Sequence, residues 1–271
     1  MKKLVVVKLG GELLEQPARM KAVARILARV AEATPLVVVH GGGREIDAAL
    51  AQASIPKHQV DGLRITDEAT LQVVVSVLAG SINTRFVAAI NAAGGNAVGL
   101  TGADAGVAPV KPAKPHKATN GELVDLGLVG EPIPIGAPKL IKTLVAKGFI
   151  PVIACVAAAK DGRLYNVNAD TLAGSLAARL RAKRLVVAGA TRGVLGAKGA
   201  TVAKLDLDSI EKLIESGTAT AGMVAKLRAC RKAVKGSVRD VVIADGREPR
   251  KLSAVLLGKA ARKGTVTRIT K

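Results

Sequence analysis

Aromatic residues are almost missing from this chain: among 271 positions there are Phe86, Phe149 and Tyr165, about 1%, and no tryptophan. That argues against a protein that stacks nucleic-acid bases on aromatic faces. It also means that a core must be built from Val, Leu, Ile and Ala within the 49% of apolar residues. Cysteine is scarce too. Cys155 and Cys230 lie far apart, form no metal spacing, and read as ordinary buried thiols. The three histidines (His40, His58, His116) do not cluster as ligands, so no protein-held metal is expected. Long apolar runs are missing as well, each being cut by Gly, Lys or Arg short of the roughly 20 residues of a membrane helix. The apolar stretch behind Met1-Lys2-Lys3 spans about four residues, where a secretory signal needs about 7–15. A cytoplasmic chain without a membrane segment is expected. Acidic residues are the last shortage, 21 against 41 basic ones, for a formal charge of +20. The final 46 positions hold 14 basic and 3 acidic residues. Such an excess favours anionic partners (nucleotides, acidic metabolites, an acidic protein, nucleic acid nonspecifically) or simply a solvated surface.

What is present is an alternation. LVVVKL (4–9), PLVVVH (35–40), NAVGL (96–100), FIPVIACV (149–156), KRLVVAGA (183–190) and VRDVVIADG (238–246) read as strands. Between them lie helical patterns at 18–33, 66–94, 138–148, 171–182, 207–217 and 222–236, and a glycine-opened helix follows residue 43. Thr66 or Asp67 is a plausible N-cap for the long amphipathic stretch. From 107 to 130 the helical period disappears, which suggests a hairpin or lid. Residues 158–170, with a turn at Asp161-Gly162, read as a second excursion. Strands separated by helices argue for an α/β fold with a parallel sheet covered on both faces, and the length suits one large domain or two associated lobes.

Ligands of such sheets bind beyond the carboxyl ends of the strands. Gly10-Gly11 and Gly41-Gly42-Gly43 both follow strands, and Lys8 stands at the tip of the first. Either turn alone is explained by a tight bend that needs φ > 0. Two such turns can also aim backbone N–H groups and a helix N-terminus at one anion. Neither is a P-loop or a dinucleotide fingerprint, since GxxxxGK[ST] and GxGxxG are absent.

VVKLGGELL, VVVHGGGREID, GLRITDEATL, LAGSINTRFVAAIN, YNVNADTLAGSLAA, GTATAGMVAKL and GTVTRI, in order from Val5 to Ile269, resemble the N-acetylglutamate kinases of the amino acid kinase family. The resemblance implies a three-layer αβα sandwich around an open, mainly parallel sheet. Residues 1–182 would form an N-terminal lobe for the acyl amino acid and for dimerisation, and 183–271 a C-terminal lobe for ATP. It implies ATP-dependent phosphorylation of the γ-carboxylate of N-acetyl-L-glutamate in arginine biosynthesis, with Mg²⁺, by a homodimer. Lys8 and Lys226 match the two lysines that stabilise the transferring phosphoryl group, and Asp170 the carboxylate that orients both. Gly42, Gly43, Arg64 and Asn166 match substrate-binding residues. Gly10, Gly11 and Gly41 would offer amides to phosphate, and Ala190, Thr191, Gly193, Thr218, Ala219 and Thr220 fall in nucleotide-side segments.

Plainer readings exist for single residues. Lys226 on a basic helix could be solvated, Asp170 could be a helix N-cap, Arg64 could lie on the surface, and His40 packs or hydrogen-bonds within its turn. The chain also departs from the family where GATRG puts Ala190 in place of an aspartate. It starts at the first strand, without the extra N-terminal helix of arginine-inhibited hexamers, so arginine insensitivity is expected. Two alternatives stand beside the main reading. One is a kinase for glutamate or aminoadipate held on an acidic carrier protein, and the other is a non-catalytic polyanion-binding protein on a kinase scaffold.

Overall fold

The computed structural model describes residues 4–196, 199–217, 221–236, 238–259 and 264–271. The strands of its central sheet, in chain order, are β1 (Val5–Leu9), β2 (Leu36–His40), β3 (Ala97–Thr101), β4 (Ile150–Ala154), β5 (Arg184–Gly189), β6 (Lys204–Leu205), β7 (Asp240–Asp245) and β8 (Val266–Ile269). They lie side by side in the order β6-β8-β7-β5-β1-β2-β4-β3. All pairs are parallel except β7 with β8. The order runs away from β1 in both directions, so the crevice at its carboxyl end is a switch point of the topology. The boundary expected near residue 182 falls just before β5. That strand is hydrogen-bonded along its length to β1, so both proposed lobes share one sheet.

The helices are α1 (Pro17–Ala33), α2 (Gly43–Gln52), α3 (Glu68–Val75), α4 (Asn83–Ala92), α5 (Lys139–Ala146), α6 (Ala169–Arg179), α7 (Leu207–Glu215), α8 (Ala221–Lys235) and α9 (Pro249–Leu257). Helix α1 packs with α4 and α9 on one face of the sheet, while α6 packs with α8 across β1 on the other. This double cover explains why β1, β2 and β4 are buried at every residue. Burying one Val, Leu or Ile side chain contributes about 1.5–3 kcal/mol, so aliphatic strands suffice as a core, and Phe86 joins them fully buried.

Asp67 is the N-cap of α3, its side chain accepting from Thr70 N–H at 2.7 Å. Helices α3 and α4 are joined through a π-helical segment, Ser76–Ile82, which the amphipathic pattern did not foretell. Together they make one helix, Glu68–Ala92, that is long and apolar enough to cross a membrane, with 33% of its most apolar window buried. The expectation that nothing resembles a membrane helix therefore needs correction on length and composition. The excursions are antiparallel hairpins: Val110–Pro112 with Gly130–Pro132, His116–Lys117 with Leu123–Val124, and Val156–Ala158 with Leu164–Asn166. A further one, Gln59–Val60 with Leu63–Arg64, was not foreseen.

Candidate functional site

Lys8 is the fourth residue of a strand buried on both faces. A cation there costs several kcal/mol unless it is paired. Its partner is Asp170, whose Oδ1 lies 3.0 Å from Lys8 Nζ with both side chains under one-tenth exposed. Burial pulls the Lys8 ammonium down, but the Asp170 carboxylate, helped by Glu12, outweighs it and raises the group above its ordinary 10.5. Asp170 is free to do this because it is not the helix cap. Asn168 is, accepting from Thr171 N–H at 3.0 Å. Helix α6 lies over β1 and so brings the first-turn Asp170 to the strand.

Lys226 arrives from the other side, on α8. Gly174 of α6 makes that approach possible: a Cβ there would stand 2.9 Å from the Ala229 carbonyl oxygen. Cys230, one turn beyond Lys226, is fully buried. Burial drives its thiol up, the Asp170 charge adds to this, and Lys226 and Lys8 oppose it. Lys226 itself is half-buried rather than fully solvated.

The two glycine turns touch. A Cβ on Gly11 would lie 2.8 Å from Gly42 Cα and 3.3 Å from Gly43 N. None of the five glycines has positive φ, so at Gly11 close backbone approach, not a left-handed bend, excludes a side chain, and at Gly42 the Ile82 and Leu78 side chains do. Two expected donors are corrected. Gly10 N–H donates to Ala188 O at 2.9 Å and Gly41 N–H to Leu9 O at 3.2 Å, both extending the strand ends. Gly11 opens a 3-10 turn, and Gly42 and Gly43 are the N-cap and first residue of α2. Amides at such positions have no partner within their own helix, and the helix dipole favours an anion beside them.

His40 supports this turn from beneath. Its Nε2 accepts from Asn83 Nδ2 at 3.0 Å, which leaves Nδ1–H to donate to Gly41 O at 3.2 Å. The ring meets Phe86 edge-on. Burial lowers its pKa to about 4, so it is neutral and positions rather than transfers protons. The Cys155 thiol, pushed up by burial, donates to His40 O at 3.0 Å.

Next to the turns is a cavity of about 190 Å³ lined by Gly42, Gly43, Arg64, Leu78, Asn166 and Val167, among others. Arg64 Nη2 donates to Gly43 O at 3.3 Å and to Asp47 Oδ1. Lys57 holds the second oxygen of Asp47 at 2.7 Å. Burial alone would raise the Asp47 carboxyl, but these two cations hold it below its ordinary range. Arg64 Nη1 is buried without a hydrogen-bond partner, an orphan donor beside the cavity. Asn166 is anchored by its Nδ2 to Thr66 Oγ1 at 3.1 Å. Asp47, Thr66, Asn83 and Asn168 were missed as positioning groups. Asp47 had a signal, standing four residues after Gly43 and thus on one helix face with it.

Of the residues expected on the nucleotide side, Ala190 and Thr191 are exposed at the end of β5, with Ala190 N–H donating to Glu12 Oε1 at 2.9 Å. Gly193 (φ +109) is buried against Thr267, so it shapes the turn instead of facing the cleft. Thr218, Ala219 and Thr220 lie outside the described residues.

An acetylglutamate kinase of Psychrobacter arcticus is 40% identical over 221 residues, 80% of this chain and 72% of that protein. The crystal structure of smu.665 from Streptococcus mutans superposes with a TM-score of 0.80 at 26% identity, covering 100% of this chain and 99% of the other. An N-acetylglutamate synthase from Neisseria gonorrhoeae, complexed with coenzyme A and N-acetyl-glutamate, gives a TM-score of 0.82 at 23% identity. It shares the fold over all of this chain, which spans 60% of its length. With the amino acid kinase family profile matching residues 3–245, the chain belongs to the amino acid kinase family.

Proposed function

We infer that the chain catalyses ATP-dependent phosphorylation of N-acetyl-L-glutamate in arginine biosynthesis. The carrying observation is the buried Lys8–Asp170 pair beside a cavity whose glycine turns and orphan Arg64 donor suit a carboxylate. A γ-carboxylate oxygen of the substrate attacks the γ-phosphorus. The new O–P bond forms in line with the breaking bond to ADP, and the product is the acyl phosphate. Such transfer asks for placement and charge stabilisation more than for a protein nucleophile. Lys8 and Lys226 counter the negative charge that accumulates, and Asp170 holds the lysines in place. Gly11, Gly42 and Gly43 offer amides, Arg64 takes the α-carboxylate as a planar fork, and Asn166 contacts the acyl part.

Among the described residues no three His, Cys, Asp or Glu side chains converge as metal ligands. The donors of the cleft are ammonium groups and amides, so Mg²⁺ fits as a companion of the nucleotide phosphates, whose charge it neutralises when bound. Residues 1–182 serve the acyl substrate and residues 183–271 the nucleotide, with Ala190, Thr191 and the 218–220 segment on the latter side. The relatives' names favour a free acylated amino acid and give no support to the carrier-bound or non-catalytic alternatives. We place the enzyme in the cytoplasm, as a homodimer formed through the exposed face of Glu68–Ala92 and the open edge of β3.

Coupled assay of ADP release tests the reading. Turnover is expected with N-acetyl-L-glutamate and not with free glutamate, and none with either would overturn it. Arg64→Ala should raise KM for acetylglutamate about 10- to 100-fold, as loss of a charged hydrogen bond does, leaving KM for ATP near its original value.

A further inference from the structure

Glu12 has no part in the chemistry above, yet its side chain is fixed in an unusual place. It sits in the 3-10 turn that follows β1, half-buried. Its carboxylate folds back across Gly10 and reaches the end of the neighbouring strand β5. There Oε1 accepts the Ala190 N–H at 2.9 Å, a bond between residues 178 positions apart. The same oxygen lies against Gly189, where a Cβ would stand only 2.9 Å away. The glutamate's own turn is tied down as well, with Arg19 Nη1 donating to Glu12 O at 2.9 Å from α1.

Charge adds a second argument. The turn after β5 reads Ala190-Thr191-Arg192-Gly193 and has no acid of its own. The acid at the end of the next strand, Asp245, is bound to Arg247 at 2.6 Å. Glu12 is the carboxylate delivered to this point, and both Lys8 and Arg247 feel its charge. A surface glutamate with a merely solvating role would not bridge two strand ends beside a buried catalytic ion pair.

We propose that Glu12 is a positioning residue for nucleotide binding, its carboxylate holding the Ala190–Gly193 turn against the glycine turn of β1 through the Ala190 amide. This rests on the reading of Ala190 and Thr191 as bordering the nucleotide. The bond needs an acceptor of the right length more than a full charge. Glu12→Gln keeps an acceptor oxygen, whereas Glu12→Ala removes it and frees the turn.

The experiment compares wild type, Glu12→Gln and Glu12→Ala by steady-state kinetics and by calorimetric titration with MgATP alone. Loss of one such bond predicts that Glu12→Ala raises KM and Kd for ATP about five- to tenfold. Glu12→Gln should stay within about twofold of wild type, and KM for acetylglutamate should stay within about twofold in both. The proposal is overturned if Glu12→Ala leaves ATP affinity unchanged. It is equally overturned if Gln and Ala are alike impaired, or if both substrate constants rise together with a fall in melting temperature. Wild type that binds MgATP but does not turn over would sink the kinase reading instead, and the titration of the variants would still decide the role of Glu12.

Discussion

Lys8 and Asp170 illustrate how a buried ion pair can be costly for stability and still be retained. Breaking a buried pair from one side strands the other charge, at about 3–5 kcal/mol. Lys8→Met should therefore destabilise the fold by about that amount. Removing the second charge as well, in Lys8→Met/Asp170→Asn, should recover most of it. Urea denaturation measures both. The double variant should nevertheless be about 100- to 1000-fold slower in kcat, the usual effect of losing one well-placed stabiliser of transition-state charge. Near-normal turnover by the double variant would remove Lys8 from the mechanism. Because the folded-state pKa of Lys8 is raised, its contribution is complete at neutral pH and is lost only above the ordinary 10.5. His40 has the opposite sign. It is held neutral with a pKa of about 4, against 6.5 for an exposed imidazole. Between those values the unfolded chain binds the extra proton, so stability falls as pH drops from 6.5 to 4, by about 3 kcal/mol at most. In His40→Gln that slope should disappear from the unfolding free energy, and parallel curves for the two proteins would contradict the assignment.

At the scale of elements, the site depends on how closely α6 and α8 approach. Gly174→Ala would press a methyl group onto the Ala229 carbonyl, and backbone cannot yield as a side chain tip can. A cost of about 1–3 kcal/mol is expected, with kcat falling more than KM because Lys226 is displaced with α8. A lower melting temperature with unchanged kcat would show that α8 does not set the position of Lys226. Gly174 was legible only as a glycine within a helical pattern, and its reason needed the neighbour. The strands were readable because burial on both faces leaves continuous Val, Ile and Leu runs. The turns were readable because two glycine clusters follow two such runs. The hairpin Gln59–Val60/Leu63–Arg64 was not, since two-residue strands carry no period. The π segment was not, because Leu78 and Ile82 take their places from packing on Gly42, a contact with no local signature. Asp170 is readable as a cap from the sequence, and the cap is instead Asn168, through geometry that spacing alone cannot express.

At the scale of the whole molecule, charge and apolar surface oppose each other. Each chain carries +20, so two copies repel, while the helix Glu68–Ala92 buries Leu71, Val74, Leu78, Ile82, Phe86 and Ile90 and leaves a strip of half-covered valines, Val73, Val77 and Val87, beside small exposed residues. Beside it, β3 is the last strand of the sheet among the described residues. An open edge of that kind is usually covered or paired, and a groove of about 500 Å³ lined by Thr84, Val87, Ala88 and Gly99 runs between them. If this face joins two copies, burial of aliphatic side chains drives association and electrostatics opposes it. Salt then has a definite sign. Raising ionic strength from about 0.05 to 0.5 M shortens the screening length to a few ångströms. That should tighten the dimer, where an interface held by ion pairs would loosen. Light scattering over a concentration series at both salt levels measures this directly. Ala88→Arg, which adds a cation to the exposed centre of the groove, should yield single chains at low salt with an unchanged melting profile. A dimer that survives Ala88→Arg, or that weakens as salt is added, would place the contact on another face of the molecule.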